Sequence, residues 1–349
     1  MTTNVQNAVS GVVNAHIAAI ATHVPEAVLD NATLAALYPE WPAEKIFDKT
    51  GIATRHIAGP AETALDLGVA ASEKLFTQAA ISRDDIDFLI FCTQAPDYVL
   101  PTSACVMQDR LKLNNGIGAL DINLGCSGFV YGLSLAAGLI AAGLASAVLL
   151  VTADTYSKYI HLQDKSVRTL FGDGAAATLI RRNDAGDTGS IGPFEFGTDG
   201  GGAHQLIVEG GGFRTPRSAE TATETIDKSG NVRSRDHLYM NGGAVLNFTL
   251  KRVPEVVARL TGKMNLQLEA FDKVILHQAN KFLLDSLQKK LGLGDDAMPR
   301  RYADIGNTVS SSIPFVLEDI AEQRRFPPGR HMLVGFGVGL SWAACSVSF

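Results

Sequence analysis

The stretch Asp121-Ile122-Asn123-Leu124-Gly125-Cys126-Ser127-Gly128-Phe129 decides the reading of this chain. It joins an apolar strand pattern over 117–122 to a long apolar helix pattern that begins near Ser127. Gly125 and Gly128 leave room for a sharp turn and for a carbonyl to approach. A helix starting there aims the positive end of its dipole at the Cys126 sulfur, which favours the thiolate that a nucleophilic cysteine needs. A lone cysteine at a helix start is ordinarily a small buried residue. Two further segments make this one a candidate nucleophile: Leu276-His277-Gln278-Ala279-Asn280 and Gly306-Asn307-Thr308. Cysteine, histidine and asparagine, each ending a strand-like run, are the components of acyl transfer through a thioester.

Working outward from that turn, strand patterns fall at 16–20, 86–92, 147–152 and 169–180, and Pro101 opens a helix through 111. The second part of the chain follows the same order: helix 246–261, strand 271–276, helix 282–291 closed by Gly292, helix 310–322 and strand 332–336. Thr93-Gln94-Ala95 matches His277-Gln278-Ala279, and Phe171-Gly172-Asp173-Gly174-Ala175 matches Phe336-Gly337-Val338-Gly339-Leu340. This internal similarity predicts an α/β protein of two duplicated halves, 1–180 with the cysteine and 181–349 with the histidine and asparagine. The first half carries an extra loop around 155–170, a candidate lid or interface. Segment 197–237, rich in Gly, Thr, Arg and Ser, reads as a mobile surface loop, and the polar residues 1–14 as frayed.

Composition excludes several classes. The 349 residues are 46% apolar with a net charge of −6, enough to bury a large core. No basic stripe argues for nucleic acid. The cysteines Cys92, Cys105, Cys126 and Cys345 form no C-x-x-C pair and stand with no histidines at metal spacing, so no metal site is expected. Their apolar settings fit reduced thiols in a cytoplasmic protein, and the N-terminus lacks the pattern of a signal peptide. Segment 132–151 is apolar, but its glycines and its switch to Val148-Leu149-Leu150-Val151 fit a buried helix and strand better than a membrane span.

The chemistry these residues offer is specific. The backbone N–H of Cys126 is positioned to meet a developing oxyanion, and a second donor is available from Gly337-Val338-Gly339. His277 and Asn307 are ambiguous one at a time: a histidine ending a strand is often a hydrogen-bonded core residue, and an asparagine after glycine a turn former. The three together make a site.

On these residues the chain resembles the β-ketoacyl-acyl-carrier-protein synthase III family of the thiolase superfamily. Six motifs in family order carry the resemblance: Lys49-Thr50-Gly51-Ile52, the Cys126 turn, Phe171–Ala175, His277–Asn280, Gly306-Asn307-Thr308 and Gly337-Val338-Gly339-Leu340-Ser341-Trp342. The resemblance implies a thiolase-like five-layer α-β-α-β-α fold, a homodimer and no cofactor. It implies that Cys126 takes an acyl group from acyl-coenzyme A or an acyl carrier protein. His277 and Asn307 would then hold the malonyl thioester on acyl carrier protein, or on coenzyme A, while it decarboxylates to the enolate that attacks the acyl-cysteine. The amides of Cys126 and Val338 match the family's oxyanion hole.

Departures bear on substrate. Lys45 and Lys165 occupy the positions where well-studied members hold adenine between Trp and Arg, so charge is kept and the stack is lost. Leu100 matches a position that enters the partner's acyl tunnel, and its size predicts room for a longer or branched acyl group. Lys49 and Phe171 are further substrate-binding candidates within the motifs, and Lys281, with Lys251 and Arg252, is a candidate contact for an acidic carrier protein. The alternative activity is a non-decarboxylative transfer of the acyl group from Cys126 to another nucleophile. A hydroxymethylglutaryl-type reaction would want an acid near the cysteine, for which Glu62, Asp97 and Asp121 are the candidates. An inactive structural subunit would be expected to have lost one of the three site residues.

Overall fold

The run AVLLVTAD at Ala147–Asp154 is apolar on both faces, and a strand can bury such a run only when other layers cover both sides. The computed structural model, which describes residues 11–185, 187, 189–321 and 326–349, places it at the centre of a five-stranded sheet. Numbered along the chain, the sheet strands are β1 (Ala15–His23), β2 (Phe88–Cys92), β3 (Gly118–Ile122), β4 (Ala147–Asp154), β5 (Gly174–Arg182), β6 (Ser190–Thr198), β7 (Lys273–Leu276), β8 (Arg330–Gly337) and β9 (Ser341–Ser348). The helices that position the site are α1 (Ala43–Thr50), α2 (Ala64–Ala79), α3 (Ser103–Arg110), α4 (Gly128–Ala141), α5 (Gly242–Met264), α6 (Lys281–Leu291) and α7 (Ser312–Ile320).

The first sheet runs β1-β5-β4-β2-β3 and the second β6-β9-β8-β7. In the first, β1, β5 and β4 pair antiparallel in turn and β4 pairs parallel with β2. In the second, β6, β9 and β8 pair antiparallel in turn and β8 pairs parallel with β7. The two sheets therefore repeat one order and orientation, and the first adds β3 at its edge. Helices α4 and α7 lie between the sheets, α2 and α3 cover the outside of the first, and α5 with α6 beside it covers the outside of the second. This is the five-layer α-β-α-β-α fold of two duplicated halves.

Helix α4 is the centre of the core. Its Phe129, Val130, Leu133 and Ile140 are buried against Ile90, Val148 and Leu150 on one side and Ile275, Leu333 and Ala343 on the other. Each such side chain contributes about 1.5–3 kcal/mol by leaving water. Substituting a larger residue for Gly132 would drive a Cβ to 2.6 Å from Leu150, so that glycine sets the helix-to-sheet distance.

Several expectations change. Helix α2 was not anticipated, although Thr63 and Asp66 form a full capping box at its start. Strand β6 was not anticipated either. Helix α3 begins at Ser103, with Pro101 outside it. Helix α5 begins at Gly242 because the Asn241 side chain caps the Ala244 N–H at 3.1 Å. Before α7 the chain makes a short 3-10 turn at Val309–Ser311, and the expected end of that helix at Glu322 lies outside the described residues. Residues 1–10 of the expected frayed terminus also lie outside them, whereas Val13 is held by a 2.8 Å bond from its N–H to Ile191 O.

The two long irregular segments are not free loops. They are stitched to each other: Leu238 N–H reaches Tyr159 O at 2.8 Å, Val232 N–H reaches Gln163 O at 3.3 Å, and Arg233 pairs with the buried Asp164 at 2.7 Å. Segment 155–170 is thus a clamped wall beside the site, not a lid, and 197–237 is held against it.

Candidate active site

Cys126 sits where the chain leaves β3 and enters α4. The Gly128 N–H closes the turn onto Gly125 O at 2.7 Å, and Ser127 Oγ meets Ser341 Oγ of β9 at 2.7 Å. Strand β8 runs directly past the thiol. A Cβ on Gly337 would lie 2.8 Å from Cys126 Cβ and 3.0 Å from its Sγ, so only glycine fits there. The backbone N–H groups of Cys126 and Val338 are directed at the sulfur. Burial first, and then the charge of Asp154, nevertheless push the thiol up to about 12 against the opposing pull of those two amides. The helix terminus does not leave the resting cysteine partly ionised as expected.

His277 ends β7 and is 2% exposed. Its Nδ1 lies 2.7 Å from Ser312 Oγ at the start of α7, and its ring stands edge-on to Phe336 at 5.4 Å. Burial lowers its pKa to about 3, so the imidazole is neutral across the working pH range. Asn307 is fixed through its backbone: its N–H reaches Leu170 O at 2.9 Å, and its carbonyl accepts the Gly172 N–H at 3.1 Å. Its Oδ1 accepts the Val309 N–H at 2.9 Å. Among the described residues its Nδ2 has no partner, so two donor hydrogens remain for a ligand. Val309 itself has a φ of 54°, a left-handed conformation that a β-branched residue holds only at a cost of about 1–3 kcal/mol.

Behind these loops lies Arg55, fully buried. Its guanidinium donates to Asn31 Oδ1 and to Thr169 O, each at 2.6 Å, and burial lowers its pKa to about 10. A Cβ on Gly306 would lie 3.1 Å from Arg55 Cβ, and one on Gly172 3.2 Å. Arg55 is therefore the post against which the Phe171 and Asn307 loops are set, a role the sequence did not indicate.

Cys126, His277 and Asn307 open onto one cavity of about 690 Å³, with Phe171, Phe336 and Gly337 in its walls. Its rim carries Trp41, Lys49, Met240, Lys281 and Phe282. Of the substrate-binding candidates, Lys49, Phe171 and Lys281 are on this cavity, although Lys281 is paired with Asp285 at 2.5 Å. Lys45 is not on its wall: it stacks over Trp41 at 5.3 Å and donates to Glu40 O at 3.1 Å. Lys165 is not either. It is buried, with its ammonium 3.0 Å from Glu40 and 2.7 Å from Ser229 O, so its charge is neutralised away from the cavity. Trp41, which the sequence reading passed over, lies between Lys45 and Lys49 and puts an aromatic face at the rim. Leu100 projects from the surface, 79% exposed, beside the exposed Tyr98 and Val99.

Two of the three acidic candidates are engaged elsewhere, and the third, Asp97, is not on the cavity that holds Cys126. Asp121 accepts the Ser103 and Ala104 N–H groups that begin α3, each at 2.7 Å, and Glu62 accepts the Gly59 N–H at 3.0 Å. The carboxyl that acts on Cys126 is Asp154, at the end of β4, which sequence reasoning missed. It accepts the Gln94 N–H at 2.8 Å and the Ser310 hydroxyl at 2.5 Å, and burial pushes it up to about 7. Among the described residues no group of three or more His, Cys, Asp or Glu is placed to hold a metal ion, and no helix is long and apolar enough to cross a membrane.

This fold, with a cysteine, a histidine and an asparagine at one cavity, defines a condensing enzyme of the thiolase type. Known proteins agree. The family model for 3-oxoacyl-[acyl-carrier-protein] synthase III matches residues 120–200, and that for its C-terminal part matches 262–349. A β-ketoacyl-[acyl-carrier-protein] synthase III of Chlamydia caviae is 32% identical over 334 residues, covering 95% of each chain. One from Streptomyces coelicolor is 33% identical over 88% of this chain and 89% of its own. A solved 3-oxoacyl-(acyl-carrier-protein) synthase III is 56% identical, with a TM-score of 0.94 over 96% of this chain and all of its own. The synthase of Burkholderia xenovorans is 35% identical, with a TM-score of 0.87 over 97% of this chain and 95% of its own. The chain belongs to the β-ketoacyl-acyl-carrier-protein synthase III family.

Proposed function

We propose that the protein condenses an acyl thioester with malonyl-acyl carrier protein, releasing carbon dioxide and a β-ketoacyl thioester. The observation that carries this reading is the meeting, at one cavity, of a thiol faced by two backbone amides with two neutral donors. In the first half-reaction the Cys126 sulfur attacks the thioester carbonyl, and the amides of Cys126 and Val338 hold the oxyanion until the carrier thiol leaves. In the second, the neutral His277 and the free Nδ2 of Asn307 stabilise the oxygen of the malonyl thioester as its carboxylate departs as carbon dioxide. A neutral imidazole suits this step, because an imidazolium would protonate the enolate it is meant to stabilise. The enolate carbon then attacks the acyl-cysteine carbonyl, the C–S bond breaks, and the departing Cys126 thiolate takes a proton from water. No step calls for a metal or organic cofactor.

The same reading assigns the rim. Trp41 and Lys49 take the nucleotide end of coenzyme A in place of Lys45 and Lys165, and Lys281 with Lys251 meets an acidic carrier protein. A homodimer is supported by the half-exposed edge strand β3 and the apolar projection Tyr98–Leu100 beside it, surfaces that a second copy would cover. The halves 1–180 and 181–349 would then act together in each cytoplasmic subunit.

The test is intact-protein mass spectrometry with a panel of acyl-coenzyme A thioesters, followed by malonyl-acyl carrier protein. A mass gain on Cys126 that is discharged as carbon dioxide and a β-ketoacyl product appear is expected. A stable acyl adduct that the malonyl thioester does not discharge would overturn the condensing step.

A further inference from the structure

Behind the Cys126 turn lies a second and larger cavity, of about 1270 Å³. Val338 and Gly339 line it, and Leu206 lines both cavities, so one layer of side chains separates them. On the acyl-loading reading, a thioester that enters past Trp41 and Lys49 with its carbonyl oxygen at the amides of Cys126 and Val338 would have its acyl group on the side of Val338, which lines this space.

The wall nearest the nucleophile is polar. Tyr156 Oη donates to Gln94 Oε1 at 2.5 Å, and Gln94 Nε2 donates to Asn123 Oδ1 at 3.0 Å. Tyr159 Oη donates to the Gln94 carbonyl at 2.7 Å. These groups press on the residue preceding the cysteine: a Cβ on Gly125 would lie 2.5 Å from Gln94 Oε1 and 3.3 Å from the Tyr156 hydroxyl. Gln94 spends two bonds on its neighbours and Asn123 one, and each keeps capacity for more. Gln94 retains one N–H, and among the described residues the Nδ2 of Asn123 makes no hydrogen bond, leaving two more. Gln94 and Asn123 both line this cavity, so these donor hydrogens belong to its wall. A saturated chain laid along this wall would strip water from them and give nothing back. Farther out, Arg217 lines the same cavity with no ion pair among the described residues.

We propose, on the basis of the acyl-loading reading above, that this site selects acyl groups bearing an oxygen acceptor, hydroxyl or phenolic, over plain alkyl groups of equal size. Gln94 and Asn123 are the specificity-determining residues, and their free amide hydrogens bind that oxygen. Selection of this kind arises because a polar site rejects the analogue that leaves its donors unpaired.

The test compares thioester pairs that differ only by hydroxyl against methyl: 3-hydroxybutyryl- with 3-methylbutyryl-coenzyme A, and 4-hydroxybenzoyl- with 4-methylbenzoyl-coenzyme A. Acylation rates of Cys126 are read by intact mass. The wild type is expected to load the hydroxylated member several-fold faster, the discrimination a partly solvated hydrogen bond gives. Asn123→Leu and Gln94→Leu are expected to erase the preference while still loading the methyl members. Because Asn123 is exposed at the cavity edge, its replacement tests the idea even if Gln94→Leu folds poorly. Faster loading of the methyl member in both pairs, or an unchanged preference in Asn123→Leu, would overturn the inference while leaving acyl loading intact. No loading of Cys126 by any thioester would overturn the acyl-loading reading, and this inference with it.

Discussion

Asp154→Asn tests how the buried interior controls the nucleophile. Among the described residues no cation is paired with the Asp154 carboxyl. Its partners are the Gln94 N–H and Ser310, and the second carboxyl Asp173 adds to the effect of burial. Its pKa in the folded protein therefore stands at about 7 against an ordinary 3.8. The sign follows from linkage. As pH rises from about 4 to about 7, the unfolded chain releases this proton and the folded chain keeps it, so stability falls over that window and is level above it. At about 1.4 kcal/mol per pH unit, the loss is up to roughly 4 kcal/mol. Asparagine removes the titration. One of its ends is a donor where the carboxylate accepted from Ser310, a mismatch of about 1–2 kcal/mol that rotation of the serine hydroxyl partly relieves. The variant should therefore be about 2 kcal/mol more stable than the wild type at pH 8 and no more stable at pH 4. The same change removes the like charge beside Cys126, which lowers its pKa and speeds alkylation by iodoacetamide at pH 8 on the order of 10-fold. The measurements are thermal melting and alkylation rate from pH 4 to 9. Parallel stability profiles and equal alkylation rates for the two proteins would refute the argument that a buried, uncompensated carboxyl raises this thiol's pKa beyond the effect of burial.

Other expected outcomes separate the parts of the site. His277→Ala and Asn307→Ala should still load Cys126 but lose on the order of 10²–10³ in condensation, read by acyl-enzyme mass against product formation. Gly337→Ala should slow acylation and destabilise by about 1–3 kcal/mol, because β8 is hydrogen-bonded on both edges and cannot retreat from a Cβ aimed at Cys126; loading and urea unfolding check it. Arg55→Met should leave Asn31 and the Thr169 carbonyl unsatisfied and cost about 2 kcal/mol or more in denaturant unfolding, although Arg55 touches no substrate. Trp41→Ala should raise KM for acyl-coenzyme A several-fold with kcat unchanged, the mark of binding lost equally in ground and transition states.

What the sequence made legible follows from what is local. The Cys126 turn, β4 and the caps of α6 are written in consecutive residues: an apolar run bounded by glycine, or Asn280 followed by helix formers and closed by Gly292. The opposition of Cys126, His277 and Asn307 was reachable because the halves repeat, so equivalent strand ends had to converge. Helix α2 was legible too, in Thr63 and Asp66, but Gly68 and Ser72 on its buried face hid the period. Lys45 and Lys165 show where the reading stops. Position along the chain does not reveal that Glu40 reaches Lys165, or that Trp41, four residues before Lys45, supplies the rim's aromatic face. Asp154 was hidden for a different reason. A lone aspartate at a strand end looks like a turn residue until the second half brings Ser310 to it.

The repeat also explains why the labour is divided. Strands β2 and β7 occupy matching places, and the residues that follow them are Thr93-Gln94-Ala95 and His277-Gln278-Ala279. In the second half the histidine faces the cavity, while Gln278 is consumed by structure, donating to Leu276 O at 2.6 Å and accepting the Arg301 N–H at 2.9 Å. In the first half Gln94 is instead turned toward Gly125 and Asn123. Strands β4 and β8 match likewise, and end in Asp154 and Gly337. One places a buried acid behind the thiol, and the other passes a bare backbone across its front. Duplication thus supplied two equivalent sets of strand ends around one seam. On the proposed mechanism the chemistry follows from their divergence, with the nucleophile from the first set and the enolate donors and second oxyanion amide from the other.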